Sequence, residues 1–292
     1  MVFDSLQGID LHVHSTASDG TYAPFEILAT AQEMGLKAIS ITDHDTLSGT
    51  KEALQLASSF SVSVLSGVEI SAKPPPYMKN IKGSLHILGY GFDVENSPLS
   101  ETLSEFQQIR KKRMFQILQK LQQIGFSISL EDLSTPNESI GRPHIAQKMV
   151  EKGFASSINI AFDLYLGKNK PAYVDKYRLP VKDVISLIRD AGGVPVLAHP
   201  GLLHIEDPIE YRTIFKCLAN EGLLGIEALY PLHSSDQLQF FLKLAQEHHL
   251  LITGGSDFHG DIKPDILLGS GNGSFFVPYS LFENLVRNIH TS

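Results

Sequence analysis

Lys37-Ala38-Ile39-Ser40-Ile41-Thr42-Asp43-His44-Asp45 is the stretch that decides the fold. Its first six residues suit a buried strand, and the run stops at a cluster of charged and imidazole groups. Before it, residues 24–34 carry a helical pattern with Pro24 in the first turn and Gly35 as the stop. Further upstream, Ile9-Asp10-Leu11-His12-Val13-His14-Ser15 repeats the form: apolar at Ile9, Leu11 and Val13, polar between. Side chains of a strand alternate faces, so His12 and His14 share one. Asp19 follows in a glycine-containing loop that can return to them. Downstream, a helix over residues 49–58 leads to an apolar strand over 62–68 that closes on Glu69. Strand–helix alternation predicts a parallel sheet or barrel. Polar groups collected at strand C-termini mark the rim where such barrels keep their sites.

The second half of the chain resumes the pattern after residue 180. Val194-Pro195-Val196-Leu197-Ala198 reads as a strand ending in His199-Pro200. Residues 223–229 read as a strand containing Glu227, followed by Tyr230 and His233. Leu250-Leu251-Ile252-Thr253-Gly254 runs into Gly255-Ser256-Asp257-Phe258-His259. Helices are expected over 181–191, 208–221, 234–248 and from 281, with an edge strand over 274–277. His86 lies inside the strand-like run 84–90. Between residues 100 and 170 the apolar spacing is helical, from Leu103 and Phe106 through Ile124, with shorter helices over 142–151 and 155–166. That segment reads as a helical insertion, a cap, in an α/β frame. Within its long helix Arg110, Lys111, Lys112 and Arg113 read as a solvated face.

Composition sets limits. The chain has 292 residues, 42% hydrophobic and 19% charged, with a formal charge of -8. That balance disfavours wrapping a long nucleic-acid duplex, which needs a basic face. No apolar run approaches the ~20 residues of a membrane span, and the N-terminus has no signal-peptide pattern. The one cysteine, Cys217, excludes an internal disulfide and reads as a buried small hydrophobe. A cytoplasmic protein with no obligate protein partner is expected. The loop over residues 71–83 carries three prolines in a row and three lysines, read as a stiff, solvated excursion.

The strand-end groups are His12, His14, Asp19, His44, Glu69, His86, His199, Asp257 and His259. Nine nitrogen and oxygen donors exceed the needs of one ion. They suit two or three divalent metal ions sharing a bridging carboxylate, with Glu69 as the bridge. The absence of thiolates points to Mn²⁺ first, with Zn²⁺ or Fe²⁺ as alternatives. Such clusters clamp phosphate and generate a hydroxide nucleophile near neutral pH. In the insertion, Gly141-Arg142-Pro143-His144 starts a helix, where Arg142 and the free N–H groups suit an anion; ordinary helix punctuation is the alternative.

In their order and spacing, these motifs resemble those of the PHP (polymerase and histidinol phosphatase) superfamily. The resemblance spans nearly the whole chain. It implies a distorted (β/α)₇ barrel over residues 1–99 and 171–292, a helical insertion over 100–170, a trinuclear metal centre and phosphoesterase activity. The Gly-Arg-Pro-His motif is similar to that of the TrpH-like branch, which includes nucleoside 3′,5′-bisphosphate phosphatases and a 5′-to-3′ exoribonuclease of short RNAs. A small phosphorylated nucleotide or short oligonucleotide is then the implied substrate. Arg142 and His144 are implied near its phosphate, with Glu227 a candidate there or a packing residue. Asp43 is expected to orient a ligand histidine or to cap a loop, and the leaving oxygen to be neutralised by a metal or protonated by a histidine such as His233. A histidinol-phosphate-type phosphatase and a silent metal-binding module are the alternative readings.

Overall fold

The computed structural model describes residues 8–133 and 141–289. In chain order the elements are β1 (Ile9–Val13), α1 (Pro24–Glu33), β2 (Ala38–Ile41), α2 (Ser48–Leu56), β3 (Ser63–Val64), β4 (Gly67–Lys73) and β5 (Leu85–Tyr90). Then come α3 (Ser97–Gln123), α4 (Arg142–Glu151), α5 (Ile158–Ala161), β6 (Leu179–Pro180), α6 (Val181–Asp190), β7 (Val194–Leu197) and α7 (Pro208–Asn220). The chain closes with β8 (Gly225–Leu229), α8 (Ser235–Glu247), β9 (Leu251–Gly254) and α9 (Tyr279–Ile289). Contacts divide the chain into two units, one of Met1–Glu101 with Arg178–Ser292, the other of Thr102–Tyr177.

The first unit holds two sheets, a three-stranded β1-β2-β3 and a six-stranded β6-β4-β5-β7-β8-β9. Single bridges, Val13 with Phe258 and His44 with Glu69, join the ends of one sheet to the other. Most pairs are parallel, with helices between the strands, but β5 runs antiparallel to both β4 and β7. This corrects the all-parallel expectation. Residues 74–84 contain no helix, so the chain comes straight back beside β4 instead of crossing over. The reversal also explains His86. It stands near the start of β5, which lies on the same rim as the ends of the parallel strands. Two further strand expectations change. Residues 62–69 break into the two-residue β3 and the start of β4, with Glu69 inside β4. Residues 274–277 form no strand; Val277 O accepts from Ile9 N at 3.0 Å instead.

Every residue of β1 is buried. Ile9 and Leu11 pack with Leu88, Val194, Val196 and Leu285, while Val13 packs with Ile27, Ile39 and Ile41. Each such side chain stabilises by about 1.5–3 kcal/mol on burial. That offsets the cost of the imidazoles and carboxylates buried on the same strand. Cys217 is half-buried in α7 rather than enclosed.

The second unit has its own core: Met114, Ile117, Leu118 and Leu121 of α3 against Ile145, Ala146 and Met149 of α4, with Ala161 and Leu166. The helix expected over 155–166 is α5 followed by a wider turn, Phe162–Leu166. Arg113 is not part of a wet face: its Nε donates to Val174 O at 2.9 Å. Lys120 Nζ similarly donates to Tyr173 O at 2.6 Å. Among the described residues no helix is long and apolar enough to cross a membrane.

Candidate metal centre

The first unit delivers nine potential ligand side chains from its strands and the loops that follow them. β1 carries His12, and His14 follows it directly; both are fully buried. The chain then turns tightly, with Gly20 N donating to Ser15 O at 3.0 Å, and brings Asp19 back beside His14. A Cβ on Gly20 would lie 2.2 Å from His14 O, so only glycine permits that return. His44 follows β2, Glu69 lies in β4 and His86 opens β5. His199 follows β7 with φ +24°, and Asp257 follows β9 with φ +57°. Left-handed backbone at non-glycine residues costs on the order of 1–3 kcal/mol and clusters at functional sites.

Potential ligand atoms within 4.8 Å of one another form four groups: His14-Asp19-His44-His259, His12-His14-Asp257, His12-Glu69-His199 and His44-Glu69-His86. Each group shares one residue with the next, through His14, His12, Glu69 and His44, so the four close into a ring. Glu69 divides its oxygens across it. Oε1 stands 2.7 Å from His86 Nδ1 and 3.0 Å from His199 Nε2. Oε2 stands 3.0 Å from His44 Nδ1, 3.3 Å from His14 Nε2 and 3.4 Å from His12 Nε2.

These residues fit a divalent ion on three grounds. First, Nε2 of His12 and Nε2 of His14 are 3.2 Å apart and both face Asp257 Oδ1, at 3.5 and 3.3 Å. Nitrogen and oxygen ligands about 2.0–2.2 Å from an ion stand roughly 2.8–3.6 Å from one another. Second, His44 Nδ1 is buried 3.0 Å from Glu69 Oε2 yet not aligned for a hydrogen bond with it, the relation of two ligands to one ion rather than of donor to acceptor. Third, the pocket demands positive charge. Burial opposes the charged form of His14, yet Asp257, Glu69 and Asp19 hold its pKa up at about 10. Burial likewise opposes charge on His12, and Glu227, Glu69 and Asp257 raise it well above its usual value. Burial would raise Asp19, Glu69 and Asp257, but the facing imidazoles hold all three well below the carboxylate range. His86 goes the other way: burial lowers it to about 4 despite Glu69, so it is a neutral donor.

Behind this ring lies a layer of buried carboxylates. Glu227 does not face a substrate. It is fully buried, Oε1 accepting from His12 Nδ1 at 2.8 Å and Oε2 from the His199 backbone N–H at 2.8 Å. Both oxygens are thereby taken, which corrects the phosphate role; the effect is to aim His12 Nε2 into the ring. Among the described residues the Asp43 carboxylate makes no direct hydrogen bond to a ligand histidine. It accepts from Ser15 N at 2.8 Å, Ser15 Oγ at 2.6 Å and Ser18 Oγ at 2.5 Å, so it shapes the loop between His14 and Asp19. Asp10, absent from the sequence reading, holds Ser256 in the same manner through its N at 2.8 Å and Oγ at 2.5 Å, and accepts from Gly269 N at 2.8 Å. The available signal was its place two residues before His12, on the same face of β1.

His233 is also corrected. Its Nδ1 donates to Ala228 O at 2.9 Å, and its Nε2 accepts from Gly201 N at 3.1 Å. With both nitrogens bonded to backbone, and burial lowering its pKa, the ring has no proton to offer a leaving group. It braces the turn that carries His199. Of the loop lysines, Lys82 pairs with Glu206 at 2.6 Å. In the second unit, Arg142 donates to Leu166 O at 3.0 Å, its guanidinium 5.6 Å from the Phe162 ring and 5.5 Å from that of Tyr173. His144 Nδ1 accepts from Gly141 N at 3.0 Å, a helix-start contact. His290 lies outside the described residues.

Comparison with known proteins places this geometry. The PHP domain model matches residues 10–191. A 3′,5′-nucleoside bisphosphate phosphatase of Chromobacterium violaceum is 32% identical, over 87% of this chain and 88% of its own length. A 5′-3′ exoribonuclease of Haemophilus influenzae is 32% identical, over 86% of this chain and 89% of its own. A solved structure from Bifidobacterium adolescentis, described as a metal-dependent phosphoesterase, superposes with a TM-score of 0.79 at 29% identity, covering 96% of both chains.

Proposed function

From a chain that belongs to the PHP domain family, and is therefore a phosphoester hydrolase, we propose an enzyme that hydrolyses a terminal phosphate ester of a nucleotide or the 5′ end of a short oligoribonucleotide. The observation that carries this is the closed ring of nine ligands with Glu69 divided across it. The relatives named for bisphosphate and short-RNA hydrolysis support the substrate class.

The four groups in the ring would hold two to three divalent ions, manganese first. When bound they offset phosphate charge and bring the ionisation of water towards neutral pH. The chain's own residues do the rest. Glu227 fixes the tautomer of His12, Asp43 fixes the Asp19 loop, and His233 fixes the turn at His199. Asp19, 40% exposed at its side chain, marks the open side of the pocket, where a phosphate enters. The two sheets, bridged at Val13–Phe258 and His44–Glu69, are read as arcs of one distorted barrel. Arg142 is assigned to substrate phosphate on its motif, with its guanidinium fixed by Leu166 and the flanking rings.

The test is phosphate release from adenosine 3′,5′-bisphosphate by Mn²⁺-reconstituted protein, with a 5′-phosphorylated RNA dinucleotide and histidinol phosphate beside it. Turnover of the first two and not the third is expected; turnover of histidinol phosphate alone overturns the nucleotide reading. Arg142→Ala raises KM about tenfold or more with metal content unchanged, as loss of a charge-assisted phosphate contact requires. Equal loss of metal would remove Arg142 from the phosphate site.

A further inference from the structure

Asp257 offers its two oxygens to different surroundings. Oδ1 faces His12 Nε2, His14 Nε2 and His259 Nδ1 at 3.5, 3.3 and 3.5 Å. Oδ2 points away from them, accepting from the Tyr230 hydroxyl at 2.9 Å and from Lys263 Nζ at 2.8 Å. The backbone beneath cannot set this choice. It is fixed independently, by Asp257 N donating to His12 O at 2.8 Å and by Ser256 on Asp10. Rotation about the side-chain bonds would still let both oxygens enter the ring. Tyr230 is buried, its ring 5.5 Å from that of His199. Lys263 is 40% exposed and reaches in from the turn beyond His259.

We propose that Tyr230 and Lys263 are positioning residues that hold Asp257 Oδ2 out of the metal ring, so that Asp257 ligates through Oδ1 alone. The physical argument is twofold. A carboxylate oxygen that accepts both a hydroxyl and an ammonium has its lone pairs committed to strong, charge-assisted bonds. An ammonium on the outer oxygen also keeps a positive charge at the edge of a cationic site, which is tolerable only with the carboxylate between them. One-oxygen ligation leaves a coordination position for water or phosphate that two-oxygen ligation would fill. This inference rests on the metal-centre reading above.

The test uses Tyr230→Phe, Lys263→Met and the double variant, each as full-length protein loaded with Co²⁺, whose visible absorption reports ligand number. The single variants, each keeping one donor on Oδ2, retain the wild-type spectrum. The double variant shifts to the weaker absorption of a higher-coordinate ion. It also retains metal against a chelator about tenfold more tightly, and with Mn²⁺ its kcat falls about tenfold at unchanged KM. An unchanged spectrum in the double variant, or metal held less tightly, overturns the proposal. Wild-type protein that binds no Co²⁺ overturns the metal centre itself, and this inference with it.

Discussion

Single residues in this site act through the atom they leave free. Glu227 accepts from His12 Nδ1 with one oxygen and from the His199 N–H with the other. A glutamine presents one oxygen and one amide nitrogen, so one of the two contacts is lost. Glu227→Gln is expected to lower metal affinity about 10–100-fold, as loss of a group behind a ligand does; metal content after dialysis checks it, and full retention would argue against the orienting role. His233 makes the opposite case. A proton donor's removal costs about 10²–10⁴ in rate, whereas His233→Asn is expected to cost no more than about tenfold. A thousandfold loss at unchanged metal content would restore it as the acid. The pH dependence of stability follows from the same burial. Folded His233 is held neutral with a lowered pKa, while the unfolded imidazole protonates near ~6.5. Its contribution is full above that value and is lost as the pH falls below it. Metal-free His233→Asn should therefore lose melting temperature less steeply between pH 7 and 5 than metal-free wild type.

At the scale of elements, the site depends on how closely β1 and the segment after β9 approach. Asp257 N donates to His12 O at 2.8 Å and His14 N to Phe258 O at 2.9 Å, with Gly255 against β1 between them. A Cβ on Gly255 would lie 2.3 Å from His12 Cβ and 2.4 Å from His12 N. Gly255→Ala must therefore part the two segments. It is expected to destabilise by about 1–3 kcal/mol, the usual cost of overpacking, and to abolish metal retention, because His12 and Asp257 move relative to each other. Unchanged metal content in a folded variant would show that the ring tolerates such a shift. The antiparallel β5 matters at this scale too. Had a helix separated it from β4, right-handed crossover would have placed the start of β5, and His86 with it, at the far end of the sheet.

For the whole molecule, the two units carry unlike burdens. The first buries His12, His14, Glu69, Glu227, Asp10 and Asp43 together; the second is stabilised by the apolar packing of α3 on α4. A ligand that binds only the folded state stabilises it, by about 2.7 kcal/mol at a concentration of 100 Kd. Chelation of bound metal should lower the melting transition of the first unit and leave that of the second unchanged in calorimetry. Equal shifts in both would mean that the units unfold as one. Activity should vanish with the metal and return on adding Mn²⁺.

The sequence by itself determined the alternation of strands and helices, the helical character of the insertion and the identity of the nine polar residues at strand ends. Those features follow from local periodicity and from residue chemistry, both of which are written in neighbouring positions. Tertiary structure alone decided the direction of β5, the division of the strands between two sheets and the partners of the buried carboxylates. Glu227, Asp10 and Asp43 read alike in sequence, as acids on or beside strands. Their roles were fixed by what the fold set 2.5–2.8 Å away: His12 and His199 for the first, Ser256 and Gly269 for the second, Ser15 and Ser18 for the third. Likewise nothing local tells a histidine that offers a nitrogen from one, like His233, whose two nitrogens are spent on backbone. A hydrogen bond is decided by distance and direction between residues as far apart as Ile9 and Val277, and such separations close only when the chain has folded.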